Sequence, residues 1–236
     1  MTGLRQFTPA RVGLGRAGNS LPTRELLAFQ LAHARARDAV YCPLDIASLG
    51  FDAVHAESAA GNRAEYLRRP DLGRRLCERS RMELAGIAGP FDVVFVVADG
   101  LSALAVHRHA AALLREILPM LNGWKVAPVI VVQQGRVAIA DEIGAILQAS
   151  LSAILIGERP GLSCADSLGI YMTWSPRPGR TDAERNCISN IHEAGLGTGA
   201  AASLLFMLMS QARAKQLSGI GLKGALPPID TPLQKT

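Results

Sequence analysis

The chain has 236 residues, 49% apolar and 19% charged, with a formal net charge of +5. That balance excludes disorder, and the length allows one large domain or two small ones, burying about 70–75% of the unfolded surface. The basic residues are 21 Arg and 4 Lys, and aromatics make up only 5%, which favours a solvated or subunit-facing surface over nucleic-acid binding. The chain contains no uninterrupted apolar run of membrane-spanning length, and MTGLRQFTPARVG lacks the apolar stretch of a signal peptide, so no membrane partner is expected. Cys42, Cys77, Cys164 and Cys187 form no C-x-x-C pair and read as reduced thiols.

The first third reads as helical. Gly13–Gly18 matches G-x-G-x-x-G, with Asp38 downstream, but only about a dozen residues precede it and Asn19–Pro22 intervenes before a helix. A dinucleotide site needs a strand on one side of those glycines and a helix opening on the other, so the segment reads as a loop. Leu27, Leu31 and Ala34 then recur at helical spacing between Ser20 and Val40. Weaker helices are expected over Ala59–Leu67 and Leu72–Ala88, and no strand before Phe91. Residues 1–75 are therefore expected to form a small helical subdomain.

After Pro90 the rhythm changes. FDVVFVVA (Phe91–Ala98), VAPVIVV (Val126–Val132) and AILI (Ala153–Ile156) are apolar, largely β-branched runs, separated by helical stretches near Leu101–Leu121 and Asp141–Ala149. A further strand over Leu168–Trp174 and a helix over Ala200–Ser218 complete the pattern. Runs apolar on both faces that alternate with helices predict an α/β fold, a Rossmann-like, mostly parallel sheet with helices on both faces, over residues 76–223. Residues 224–236 read as a flexible tail. In such sheets ligands bind beyond the carboxyl ends of the strands, so ADG (98–100), QQG (133–135) and GERPG (157–161) are expected to line the ligand edge.

Most conspicuous residues have ordinary readings. His107 and His109 lie two apart on a helix and face different ways, and His33, His55 and His192 lack partners at ligating spacing. Asp141 and Glu142 read as first-turn helix acids, Thr181-x-x-Glu184 as a capping box, and Gly195–Gly199 as a helix-entry loop. Met207 and Met209 read as core filler, and Cys187, taken alone, as an inert buried thiol. Glu158 stands apart: it follows a buried-type strand and precedes the rigid turn Arg159-Pro160-Gly161 at the ligand edge, although a solvated loop-tip glutamate would read the same way. No catalytic residue is assigned to this chain.

Longer motifs reach further. In order they are TPARV (Thr8–Val12), LGRAG (Leu14–Gly18), FQLAHARARDAV (Phe29–Val40), YLRRPDLGRRL (Tyr66–Leu76) and ADGLSA (Ala98–Ala103). GRVAIADEIG (Gly135–Gly144), IGERPGL (Ile156–Leu162), DSLGIY (Asp166–Tyr171) and RNCISNI (Arg185–Ile191) follow. With this set in this order, the chain resembles the small (light) subunit family of ethanolamine ammonia-lyase. The resemblance implies a carbon–nitrogen lyase that converts ethanolamine to acetaldehyde and ammonia with adenosylcobalamin. It implies a hetero-oligomer of about six copies each of this chain and a large catalytic subunit. It also implies that Val137, Glu158 and Cys187 contact the cofactor, base-on, with no cobalt ligand from this chain. A cytoplasmic location is implied; microcompartment residence stays open, because only seven residues precede Thr8. The other readings are a non-catalytic regulatory or assembly module and a nucleotide-binding oxidoreductase.

Overall fold

The computed structural model describes residues 2–8, 10–87 and 89–223; the expected tail, residues 224–236, lies outside the described residues. Its regular elements begin with α1 (Thr23–Tyr41), β1 (Val54–Glu57), α2 (Arg63–Arg68), α3 (Glu78–Ala85) and β2 (Phe91–Ala98). They continue with α4 (Ala103–Ile117), β3 (Ile130–Gln133), α5 (Ile139–Ile146), β4 (Ala149–Gly157) and β5 (Leu168–Trp174). The chain closes with β6 (Arg185–Ile191), α6 (Thr198–Lys215) and α7 (Ile220–Lys223). One sheet of six strands runs in the order β1-β3-β2-β4-β5-β6. Strands β1 to β4 are parallel, while β5 and β6 extend the sheet antiparallel beside β4.

The central strand explains its own sequence. Val93 through Ala98 are fully buried because both faces of β2 are covered. Val93, Phe95 and Val97 pack towards α4 and α6, whereas Val94, Val96 and Ala98 pack towards α3 and α5. Helices thus lie on both faces of a mostly parallel sheet, the α/β arrangement that continuous apolar strands predict. The β2-to-β3 connection passes over the α4 face and the β3-to-β4 connection over the α5 face. Connections that part in this way open a crevice at the carboxyl ends of the strands between them.

Three expectations are corrected. A strand does precede Phe91: β1 pairs with β3 from Val54↔Ile130 to Glu57↔Gln133. It is an edge strand of four residues with only Ala56 buried, too short for alternation to register. The helix expected over Leu72–Ala88 is a short 3-10 turn at Leu72–Arg74 followed by α3, broken where Leu76 packs inward. Cys187 is not a buried thiol; it lies exposed on β6. The capping box at Thr181 and Glu184 and the glycine entry to α6 stand as read, and among the described residues no strand precedes the Gly13–Gly18 loop.

A buried carboxylate fixes the ligand edge. Asp99, just beyond β2, accepts the Gly135 N–H at 3.1 Å and meets Arg63 Nη1 at 3.3 Å. Arg63 also donates to the Gly100 carbonyl at 2.8 Å and, through Nε, to the Val40 carbonyl at 2.7 Å. Gln134 adopts φ +59°, in the left-handed region that favours glycine, and its amide lies beside the Asp99 carboxylate. Tyr66, fully buried, lies between the Arg63 and Arg136 guanidinium groups, 4.8 and 4.2 Å from its ring centre, and donates its hydroxyl to the Gly135 carbonyl at 3.0 Å. YLRRPDLG therefore holds GRV in place. Gly73 is required there: a Cβ on it would come within 3.0 Å of the Tyr66 ring and of Arg136 Cγ. Gly157 is equally constrained, since a Cβ would collide with the Ser102 and Asp99 carbonyl oxygens.

A second buried pair ties the antiparallel extension to the parallel core. Arg185 on β6 makes two bonds of 2.7 Å to Asp141 on α5, and both side chains are at most 2% exposed. It also donates to Thr173 Oγ1 at 3.0 Å, to the Arg180 carbonyl at 2.9 Å and, through Nε, to Asp182 Oδ1 at 3.4 Å, which completes its donor set. Burial opposes the Arg185 charge, but the bonds to Asp141 outweigh it and hold the guanidinium pKa above its ordinary value.

Two predictions follow from these charges. Arg185→Leu leaves the Asp141 carboxylate buried without its partner and is expected to cost about 3–5 kcal/mol, read from the urea midpoint; Asp141→Leu/Arg185→Met should recover most of that loss. Burial raises the Asp99 pKa to about 6, against the opposing pull of Arg63 and the Gln134, Gly135 and Gly100 amides. A carboxyl raised in the folded state binds its proton more tightly there than when unfolded, so its contribution to stability falls as pH rises between the two values. The stability of the wild type relative to Asp99→Asn should therefore fall from about pH 4 to about pH 6 and level off beyond. A relative stability that rises or stays flat across that window would contradict it.

Candidate functional site

The loops beyond β2, β3 and β4 bring Gly100, Val137 and Glu158 to one edge of the sheet. Two adjoining cavities open there, of about 430 and 820 Å³, with a common wall of Arg136, Val137 and Tyr171. The smaller has Gly100, Leu101, Gly157 and Glu158 on its other sides. The larger lies between Arg74, the start of α5 and the Pro178–Asp182 turn. The groove exists because the antiparallel extension is covered on one side only. Ile170, Met172 and Ile188 pack in the core that contains α6, whereas Cys187 and Ser189 are exposed.

Each residue singled out in the sequence has a definite place. Glu158 is half-buried and anchored, not a solvated loop tip. Its Oε2 accepts from Ser167 Oγ at 2.5 Å and from the Asn190 amide at 3.3 Å, while its own N–H donates to the Ser167 carbonyl at 2.9 Å. Its Oε1 lies over Gly169, where a Cβ would approach to 2.9 Å. Only a glycine on β5 leaves the carboxylate that position. Val137, half-buried between β3 and α5, borders both cavities.

Cys187 joins the site through a residue the sequence reading did not single out. Tyr171 on β5 faces Cys187 across the strand pair, so the phenol and the thiol are neighbours on one face of the sheet. Burial, then the neighbouring Cys187, pushes the phenol up to about 12, so it is a neutral group at ordinary pH. Val137 and Glu158 thus share the small cavity with Tyr171, and Tyr171 reaches Cys187. The alternation of Leu168, Ile170 and Met172 inward with Tyr171 outward was the available signal for it.

The remaining candidates stay apart. His107 Nε2 accepts the Asp45 amide at 3.0 Å, and His109 Nε2 lies 3.5 Å from Asp166. Among the described residues, no group of three or more His, Cys, Asp or Glu side chains could hold a metal ion. Asp141 and Glu142 do sit in the first turn of α5, but they do more than cap: Asp141 holds Arg185, and Glu142 takes the Leu76 amide at 2.8 Å and Arg81 Nε at 2.8 Å. No helix of the described residues is long and apolar enough to cross a membrane.

The groove offers a carboxylate acceptor in Glu158 beside the apolar surface of Val137 and the Tyr171 ring. Comparison with known proteins places the whole molecule. The ethanolamine ammonia-lyase light chain family matches residues 1–223. The chain is 56% identical over 233 residues to the ethanolamine ammonia-lyase small subunit of Pseudomonas paraeruginosa, covering 93% of this chain and 85% of that one. It is 54% identical over 235 residues to the small subunit of Ralstonia nicotianae, covering 94% and 87%. The Pseudomonas putida small subunit is 54% identical over 233 residues, covering 93% and 86%. Identity at this level across nearly the full length, with every motif of the groove inside the matched region, makes this chain a member of the ethanolamine ammonia-lyase small-subunit family.

Proposed function

We propose that this chain forms one wall of an adenosylcobalamin site at the interface with a large catalytic subunit, in an enzyme that converts ethanolamine to acetaldehyde and ammonia. One observation carries the reading. Val137 and Glu158, far apart in sequence, line a single groove with Tyr171, and Cys187 stands opposite Tyr171 across the strand pair. The residues fit the group. A corrin ring has an apolar edge and a periphery of amide side arms, which match the Val137 wall and a Glu158 carboxylate whose Oε2 is steadied from behind. Gly169 leaves the room that this carboxylate needs.

Bound adenosylcobalamin supplies the radical on which amino migration and loss of ammonia depend. This chain's residues orient and enclose. Glu158, fixed by Ser167 and Asn190, presents a carboxylate without rearrangement, so little side-chain entropy is lost on binding. Tyr171 stands between the groove and Cys187, and the fully buried Tyr66 backs Arg136 and keeps the Val137 loop from yielding to water. Catalysis belongs to the complex, and this chain contributes no reacting group.

Two measurements test the reading. The purified chain alone, given adenosylcobalamin and ethanolamine, should show no turnover, and activity should appear on adding the large subunit; turnover by the chain alone contradicts it. In the assembled enzyme, Glu158→Ala removes the acceptor for cofactor amides and should weaken cofactor affinity roughly ten- to a hundred-fold, about 1–3 kcal/mol. Glu158→Gln should cost less and Cys187→Ser less again. An affinity unchanged in Glu158→Ala, with subunit association intact, removes Glu158 from the site.

A further inference from the structure

The larger cavity carries chemistry that the three proposed contacts leave unused. Its walls gather five arginines, Arg74, Arg75, Arg136, Arg180 and Arg185, against two carboxylates, Glu142 and Asp182. Internal pairing accounts for part of this. Arg185 is held by Asp141, and Arg180 by Glu184 and the Ser175 carbonyl. Glu142 is occupied by Leu76 and Arg81. Three arginines remain under-used.

Arg136 is the clearest. It stacks on Tyr66, its Nη2 reaches the Tyr66 carbonyl only at 3.4 Å, and its Nε is buried with no hydrogen-bond partner. A buried donor without an acceptor costs free energy, so this position favours an acceptor brought by a water, an ion or a ligand. Arg74 has no side-chain hydrogen bond or ion pair among the described residues, and Arg75 has only Asp71 at 3.9 Å. Beside them α5 begins, with Val137 and Ala138 lining the same cavity, so the positive end of the helix adds to the arginines. The cavity is built for an anion.

We propose that this arginine cavity receives the phosphodiester of the cofactor's nucleotide loop, with Arg136 as its principal contact and Arg74 and Arg75 flanking it. The inference rests on the cofactor site proposed above and assigns its second half. The side arms of the corrin are neutral amides, and the phosphodiester is the one anionic group of that loop. Planar guanidinium groups pair with phosphate oxygens in a fork geometry, which suits this lining better than a neutral periphery would. The shared wall then divides the work, with Glu158 reading amides on one side and the arginines reading the anion on the other.

The test compares two corrinoids by absorbance titration of the assembled two-subunit complex. Cyanocobalamin carries the nucleotide loop, whereas dicyanocobinamide lacks both loop and phosphodiester. Arg136→Ala is expected to weaken cyanocobalamin about ten-fold or more and to leave dicyanocobinamide within about two-fold. Because Arg136 also braces Tyr66, Arg74→Glu provides a second variant on an exposed side chain; it should show the same selective loss, deepening at low salt. Equal losses for both corrinoids, or none, overturn the proposal. So does weakened subunit association with unchanged corrinoid selectivity, which would assign the arginines to an acidic segment of the large subunit. Glu158→Ala separates this from the underlying site: there both corrinoids should weaken together, and if neither does, the site itself fails.

Discussion

The ligand edge depends on one buried carboxylate. Asp99 ends the central strand where backbone polar groups from several loops must be satisfied away from water, and it meets the Gly135 amide and Arg63 there. Arg63 carries the connection onward to the end of α1 and to Gly100. Remove the charge and segments distant in sequence lose their common partner. Desolvation makes such a centre costly, and the raised Asp99 pKa is the measure of that cost. The return is a fixed loop after β3, which the Tyr66 hydroxyl and the Arg63–Tyr66–Arg136 stack then lock from the side.

The antiparallel extension gives that fixed edge something to face. A parallel sheet covered by helices throughout would leave only a narrow crevice at its switch point. Here β5 and β6 continue the sheet past α5, so Tyr171 and Cys187 stand beside the loops and not beneath a helix. Arg185 and Asp141 hold the two parts in register across that junction. The groove is thus a product of topology, with walls drawn from both the parallel and the antiparallel regions.

Local signals carried the fold well where burial was two-sided. β2 appears in the sequence residue for residue, because complete coverage demands an unbroken apolar run, whereas β5, covered on one face, shows through the alternation of Leu168, Ile170 and Met172 inward with Tyr171 outward. β1 and β6 did not: one is a four-residue edge, and the other alternates buried and exposed residues around an Asn at φ +63°. Glu158 was legible from its position after a buried strand, and Val137 and Cys187 only through the family motifs. Tyr171, Arg136 and the Asp141–Arg185 pair were not, because their meaning lies in partners that folding brings from elsewhere in the chain. Spacing within a motif cannot show a contact between motifs.

The glycines at the strand ends have a mechanical consequence. Gly157 packs so tightly on the Ser102 and Asp99 carbonyls, and the Leu101 amide bonds the Gly157 carbonyl so directly at 2.9 Å, that the loops after β2 and β4 behave as one body. Neither can open without the other. A groove with such interlocked margins keeps one outline, and a change at Gly157 would disturb both of its loops at once. This chain therefore carries a preset edge, its two loops held to one shape by a glycine that no other residue could replace without displacing both.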